Sequence, residues 1–372
     1  MKAKALALVS LLVVVAVFSG PVIIPTAEGQ GISDVKVLMI VADAFGWNYF
    51  DAKEILESWG VNVTTVAHAL DTDVASCYNK PVRGTTADFL LSEVENDIVT
   101  QFDALFIPSG GHWANLIAST RVLDFISYAH EHGVLIATTC IGNRVLAESN
   151  GIVNGSSVVN YYTSAIYMSV AGAEVRDNKY DVVIDNGFIT GDSGGGTSGG
   201  GYLMAPTSEI CASIVLETLG YSHVEQAEVT PLIGESGTTF NISADVTELE
   251  TELSSLSTVD INITEVIARI FTKENRTLVD TIELTDLDSD MTYEGSFTGT
   301  INDDYVIDFE VEDTNSTLEI ERELASFTVG EVPTNTTTET TETTLDPLLI
   351  GSIGVGSLLV VVVIVVIIKK KS

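Results

Sequence analysis

The sequence predicts a doubly wound α/β parallel sheet, followed by an all-β sandwich domain and a single C-terminal transmembrane helix. Three observations carry this. Apolar runs alternate with helix-like spacing from Val35 to Gly220, the composition breaks near His223 into β-rich runs, and Leu348–Ile368 is 21 residues without a charge. Strands separated by helices of about 10–15 residues imply parallel βαβ units. Regular strands without helices imply a sandwich, and about 20 apolar residues suffice to span a bilayer core.

In order, "VKVLMIVA" (35–42) reads as a buried strand, "YFDAKEILESWG" (49–60) as a helix ending on glycine, and "VNVTTVAH" (61–68) as an alternating strand. "FDALFIPSGG" (102–111) is a strand entering a glycine turn, "RVLDFISYAHEHG" (121–133) a helix, "VLIATTC" (134–140) a strand and "GNRVLAESNG" (142–151) a helix. "YDVVIDNGFITG" (180–191) holds an Asp-Asn-Gly turn between two strands, and "TSEICASIVLETLG" (207–220) closes with a helix. This part spans 33–222. The sandwich spans 223–331 and includes "FNISADV", "VDINITEVIARIFTK", "TLVDTIEL", "MTYEGSFTG", "DYVIDFEVED" and "LASFTVGE". A Thr-rich stalk over 332–346 cannot form a core.

The ends read as targeting segments. Residues 1–27 have a positive start (Lys2, Lys4) and an apolar stretch from Ala5 to Phe18, the build of a signal peptide. At the other end the expected transmembrane helix (347–368) precedes a cytoplasmic tail (369–372) that opens on Lys369–Lys371. The expected placement is therefore the cell membrane, single-pass, with the bulk of the chain extracellular and the membrane engaged through the C-terminal helix. Seven Asn-x-Ser/Thr sites (Asn62, Asn154, Asn241, Asn262, Asn275, Asn315, Asn335) are compatible with a glycoprotein.

All 52 acidic residues fall between Glu28 and Asp346, whereas five of the 17 basic residues are the terminal lysines. Such a surface repels phosphate backbones, so nucleic acid is excluded as a partner. The three cysteines, Cys77, Cys140 and Cys211, form no CxxC pattern and no disulfide framework. Neither a metal nor a cofactor is expected.

Three stretches, "FDALFIPSGG", "VLIATTCIGNRVLAESNGIVNG" and "AGAEVRDNKYDVVIDNGFITG", occur in an order and spacing that resemble the DJ-1/PfpI family, within the class I glutamine-amidotransferase-like superfamily. The resemblance covers about Val35 to Gly220 and implies a flavodoxin-like sheet. It also implies that Cys140 sits on a strained strand-to-helix elbow, with the backbone N–H groups of Ile141 and of Gly110 or Gly111 as an oxyanion site. A helix start carries partial positive charge and unpaired N–H groups, which favour a thiolate. Family members often build this site near a dimer contact, so a homodimer is among the expected partners.

Two departures weaken the catalytic reading. Ile141 stands where the family has a His after the cysteine. Where the family has a Glu, the best-aligning residue is Gly46, with Asp43 the nearest carboxylate. His112, after "PSGG", is the candidate replacement base; the alternative is that it lines the pocket or faces solvent. Cys211 reads as core, Cys77 as a loop thiol, and His130 and His132 as helix-end caps. "GDSGGGTSGGG" lacks the Lys-Ser/Thr ending of a phosphate loop.

Three functions compete. The favoured one is an exported, membrane-anchored binding module with a degenerate Cys elbow, its small-molecule or protein ligand unknown. The second is a cysteine-dependent hydrolase, an amidase or peptidase, or a glyoxalase-like enzyme using Cys140. The third is a redox-sensing thiol.

Overall fold

Every position of the first strand after Lys36 is buried because both of its faces are covered. The computed structural model describes residues 31–79, 82–192, 206–247 and 262–331. In β1 (Lys36–Val41), Val37, Met39 and Val41 point into one apolar cluster while Leu38 and Ile40 point into another. That pattern belongs to a central parallel strand. β2 (Asn62–Ala67) pairs with it on one side and β3 (Ala104–Ile107) on the other, both parallel. β4 (Leu135–Thr139) then pairs parallel with β3. β5 (Val182–Asp185) and β6 (Phe188–Gly191) form the hairpin predicted around Asp-Asn-Gly, and β6 lies parallel to β4.

Helices cover both faces. The first, α1 (Asn48–Ser58), buries Leu56 with Ile210 and Ile214 of the last, Thr207–Leu219. On the opposite face, α2 (Trp113–Ile117), α3 (Thr120–Glu131) and α4 (Gly142–Ala147) bury Leu116, Phe125, Ile126, Val145 and Leu146. A short α5 (Ala165–Val170) follows, and the last helix is α6. It stops at Gly220, whose φ of 75° is the left-handed C-terminal cap that glycine adopts without steric cost.

The β-rich part forms two packed sheets. β7 (Val224–Thr230), β8 (Thr239–Val246) and β11 (Thr292–Thr298) make a three-stranded antiparallel sheet. Opposite it lie β9 (Ile263–Thr272), β10 (Leu278–Leu284), β12 (Asp303–Asp313) and β13 (Thr317–Val329). The inward residues alternate along β8: Phe240, Ile242, Ala244 and Val246 meet Ala268, Ile270, Ile307 and Phe309. Phe240 and Phe327 rings lie 4.4 Å apart across this core.

The two parts share one sheet. The first half of β13, Thr317–Ile320, pairs parallel with β5, so a single twelve-stranded sheet runs from β10 through β13, β5 and β1 to beyond β2. β13 can serve both parts because it bends: Glu323 has φ 56°, and the register slips between Ile307 and Phe309 on the facing strand. Ion pairs close the seam. Asp185, whose side chain has no solvent exposure, accepts from Arg322 Nε and Nη2, both at 2.6 Å, and from Ser157 N–H at 2.5 Å. Arg176 reaches Glu310 at 2.6 Å and Lys179 reaches Glu312 at 2.6 Å. A buried carboxylate is tolerable only when it is paired and hydrogen-bonded in this way.

The expected single transmembrane helix is not upheld. Among the described residues no helix is long and apolar enough to cross a membrane, and α6, with 13 residues, is the longest. The segment 347–368 that suggested it lies outside the described residues, as do the signal-type start (1–27) and the stalk (332–346). The single-pass, cell-membrane placement rested on that helix and falls with it.

Two expected outcomes follow from the seam. Arg322→Ala leaves Asp185 buried without its cation and should lower stability by about 3 kcal/mol, allowing for the partial exposure of Arg322; the midpoint of urea unfolding checks this. The second concerns Glu217 on α6. Burial, then the carboxylates of Glu319 and Glu321 on β13, push its pKa up to about 8. The unfolded chain ionises this group near its ordinary value, so its contribution to stability declines as pH rises from about 4.5 to 8. Glu217→Gln should therefore exceed the parent chain in melting temperature at pH 9, and the gain should vanish near pH 4.5.

Candidate functional site

Cys140 stands between β4 and α4 with φ 55°, a left-handed conformation costly for any residue with a β-carbon. Its surroundings enforce it. Cys140 N–H donates to Gly191 O at 2.9 Å, which keeps it in register with β6, and Asn143 N–H turns back to Cys140 O at 3.2 Å. The Asn143 side chain, bonded to Thr138 Oγ1 and donating to Gly191 O at 2.9 Å, ties the turn to both strands. Gly142 must be glycine, because a β-carbon there would lie 2.7 Å from Ile107 O on β3. The elbow is thus built from three adjacent strands.

The thiol is three-quarters enclosed in a setting that disfavours its charge. Burial pushes the Cys140 pKa up, and the nearby Asp192 carboxylate adds to this. Tyr161 O–H and the Ile141 N–H both donate to Sγ, which opposes the rise without cancelling it. The Tyr161 hydroxyl is itself held above its ordinary range by burial and by the thiol. Cys140 and Ile141 rest on a cluster of Val159, Tyr161, Tyr180, Val183, Leu318 and Ile320. The last two come from β13, so the β-rich part supplies the floor beneath the elbow.

His112, the candidate base, has both ring nitrogens on backbone groups. It is fully buried, Nε2–H donates to Pro108 O at 2.8 Å, and Nδ1 accepts from Ala42 N–H at 3.2 Å. Burial pushes its pKa down to about 4, so the ring is neutral and both nitrogens are engaged. It works as a staple between the ends of β1 and β3. Gly110 and Gly111 lie on the turn after β3, the strand beside β4; Gly110 has φ 118°, and a β-carbon on it would lie 2.2 Å from Gly46 N.

The missing carboxylate has a steric reason. Gly46 N–H donates to Ser109 O at 2.6 Å, and a β-carbon at Gly46 would come within 2.4 Å of Ser109 Oγ and 2.7 Å of Ser109 O. No side chain fits at this crossing. Asp43 is exposed and accepts from Ala75 N–H at 3.1 Å, on the hairpin formed by Asp73–Asn79 and Val82–Thr86. The groups that do meet Cys140, Tyr161 and Asp192, were missed by sequence reasoning. Nothing in "NYYTS" or "TGDSG" marks them, since both approach through sheet pairing and loop path rather than through a spacing.

The remaining candidates have structural roles. His130 stacks on Phe188 with centroids 4.4 Å apart, and His132 stacks on Tyr128 at 3.9 Å. Cys211 is core, its S–H directed at Ala52 O at 3.8 Å, while Cys77 is exposed. Among the described residues one group of three carboxylates, Asp286, Asp288 and Asp290, has oxygens near enough to share a metal ion, and it lies in the loop before β11.

A doubly wound sheet with a left-handed cysteine elbow after its fourth strand defines the class. Residues 35–197 match the model of the DJ-1/PfpI family. Similar solved structures include Schizosaccharomyces pombe DJ-1 (19% identity, 50% of this chain and 100% of that one, TM-score 0.40). Drosophila melanogaster DJ-1beta is another, at 24% identity over 50% of this chain and 91% of that one, with TM-score 0.40. A third is a two-domain protein from Anabaena variabilis with DJ-1/ThiJ/PfpI-like and ferritin-like domains, at 23% identity over 50% and 48% of the two chains and TM-score 0.42. No curated protein matches the chain.

The crossing at Gly46 generates a prediction. Gly46→Glu, which writes the family carboxylate back into the sequence, should destabilise the fold by on the order of 3 kcal/mol or more, the scale of overpacking a filled site. Thermal unfolding of the variant measures it, and a melting temperature equal to that of the parent chain would refute the steric account.

Proposed function

We propose that the α/β part is a binding module in which Cys140 is kept as a protonated thiol and serves as one wall of a ligand site. The observation that carries this is the company of the thiol: a hydroxyl, a carboxylate and apolar side chains, with His112 locked on backbone atoms. A nucleophilic cysteine needs a base, or a setting that lowers its pKa. Here burial and Asp192 raise it.

The rim supports the same reading. Tyr162, Ile166 and Val170 are 79%, 66% and 83% exposed, and from Ser149 to Ala173 the chain carries no charged residue. An exposed apolar face in so acidic a chain suits an apolar ligand or a protein surface. Bound there, the ligand would meet a polar floor of thiol and phenol.

The test is the pH dependence of alkylation at each cysteine. Cys140 should react more slowly than Cys77 at neutral pH, with an apparent pKa above the free-thiol value of about 8.5. Tyr161→Phe should slow it further, because the variant removes a donor to the thiolate. A Cys140 that reacts first near pH 7, or turnover of amides, peptides or small aldehydes that Cys140→Ser abolishes, would replace the binding reading with the enzymatic one.

A further inference from the structure

A second cleft opens over the carboxyl ends of β1 and β2, on residues that the elbow does not use. It has a volume of about 370 Å³ and is lined by Asp43, His68, Ala69, Leu70, Asn115, Ala118 and Ser119. Its place is the one where doubly wound sheets take ligands, beyond the carboxyl ends of parallel strands, and its size suits a small molecule. The loop that carries Asp43 is pinned to the turn after β3: Gly46 N–H donates to Ser109 O at 2.6 Å and His112 N–H to Ala44 O at 3.1 Å.

The cleft holds unused bonding capacity. Asp43 spends Oδ1 on Ala75 N–H. Among the described residues neither the His68 imidazole nor the Asn115 amide makes a side-chain hydrogen bond, whereas His68 N–H is fixed on Val41 O at 2.8 Å. Leu70 is fully exposed at the rim. Among the described residues no lysine or arginine lines the cleft; Arg121, at the start of α3, donates to the carbonyls of Leu91 and Val94. Burial lowers the His68 pKa, which leaves a neutral ring with one donor and one acceptor.

We propose that this cleft binds a small organic cation, a primary ammonium or guanidinium on a short aliphatic chain. The cation pairs with the free oxygen of Asp43 and donates to His68 and to the Asn115 carbonyl, while the aliphatic chain lies on Leu70, Ala69 and Ala118. An anion would face the Asp43 carboxylate with no lysine or arginine of the lining to offset it. The net charge of −35 raises the local concentration of cations around the molecule, and the Asp43 geometry supplies the choice among them.

Calorimetric titration of the full chain at fixed ionic strength tests this, with n-butylammonium and agmatine as probes and butyrate and n-butanol as controls. Saturable binding of the two cations is expected, with none for butyrate. Asp43→Asn keeps the Ala75 hydrogen bond and should weaken the cations roughly 10–100-fold, the range for losing one charge-assisted bond. Asp280→Asn, an exposed carboxylate on β10, should leave affinity unchanged, and so should Cys140→Ser. The His68 ring signal should shift with saturation in an NMR titration, and His68→Gln should weaken binding while the fold stays intact by circular dichroism. Equal weakening by Asp280→Asn, equal binding of butyrate, full affinity in Asp43→Asn, or no saturation below about 10 mM would each overturn the proposal.

Discussion

The contact on which the site depends is the backbone crossing of Gly46 over Ser109. It brings the loop after β1 against the turn after β3 with no side chain between them. Three features meet at this one approach. It leaves no room for a side chain at Gly46, it lies beside the buried His112 that ties Ala42 to Pro108, and it fixes the loop that carries Asp43. At the thiol, Tyr161 is a donor that favours the anion, while burial and the Asp192 charge outweigh it and push the pKa up. The left-handed backbone of a strand-to-helix elbow is present at Cys140, and fold alone does not decide function.

The elbow also has a long-range dependence. Leu318 and Ile320 support it from β13, and β13 is held on β5 by parallel pairing and by Arg322 on Asp185. A strand more than a hundred residues downstream thus sets the floor of a site formed by residues 140–192. Closing a loop of that length costs entropy, and the seam offsets part of it through pairs such as Arg322 on Asp185 and Arg176 on Glu310. Any loosening of the seam should be felt at Cys140 before it is felt in the parallel core around β1, where both faces are sealed by apolar contact.

What the sequence disclosed and what it concealed divide along the same physical line. The alternation of Val37, Met39 and Val41 against Leu38 and Ile40, the Asp-Asn-Gly hairpin and the glycine after α6 are local signals, and each produced the element it predicts. The elbow at Cys140 was legible from the resemblance of the surrounding stretches. The shared sheet was not, because nothing in "TLEI" distinguishes a strand that pairs with β5 from one that stays within a sandwich; both are short apolar–acidic alternations. Tyr161 escaped for a similar reason, since the first tyrosine in "NYYT" reads like its exposed neighbour Tyr162 until the packing against Val159, Tyr180 and Val183 turns it inward. His112 shows the opposite failure. Its residue type suited a base, and only the two backbone groups it bridges reveal that it has no nitrogen to give.

Scarcity of positive charge orders the rest of the molecule. With 17 basic residues against 52 acidic ones, cations cannot neutralise the surface and can only be placed. Arg176, Lys179, Arg269 and Arg322 sit at the seam, each on one or more carboxylates of the β-rich part or of Asp185. Salt at physiological strength screens charges over about 8 Å, which relieves repulsion among the exposed carboxylates but reaches the enclosed Arg322–Asp185 pair far less. Added salt therefore works in favour of the joined sheet. Among the described residues Asp43 is one of the carboxylates left over, held by Ala75 N–H and by no cation.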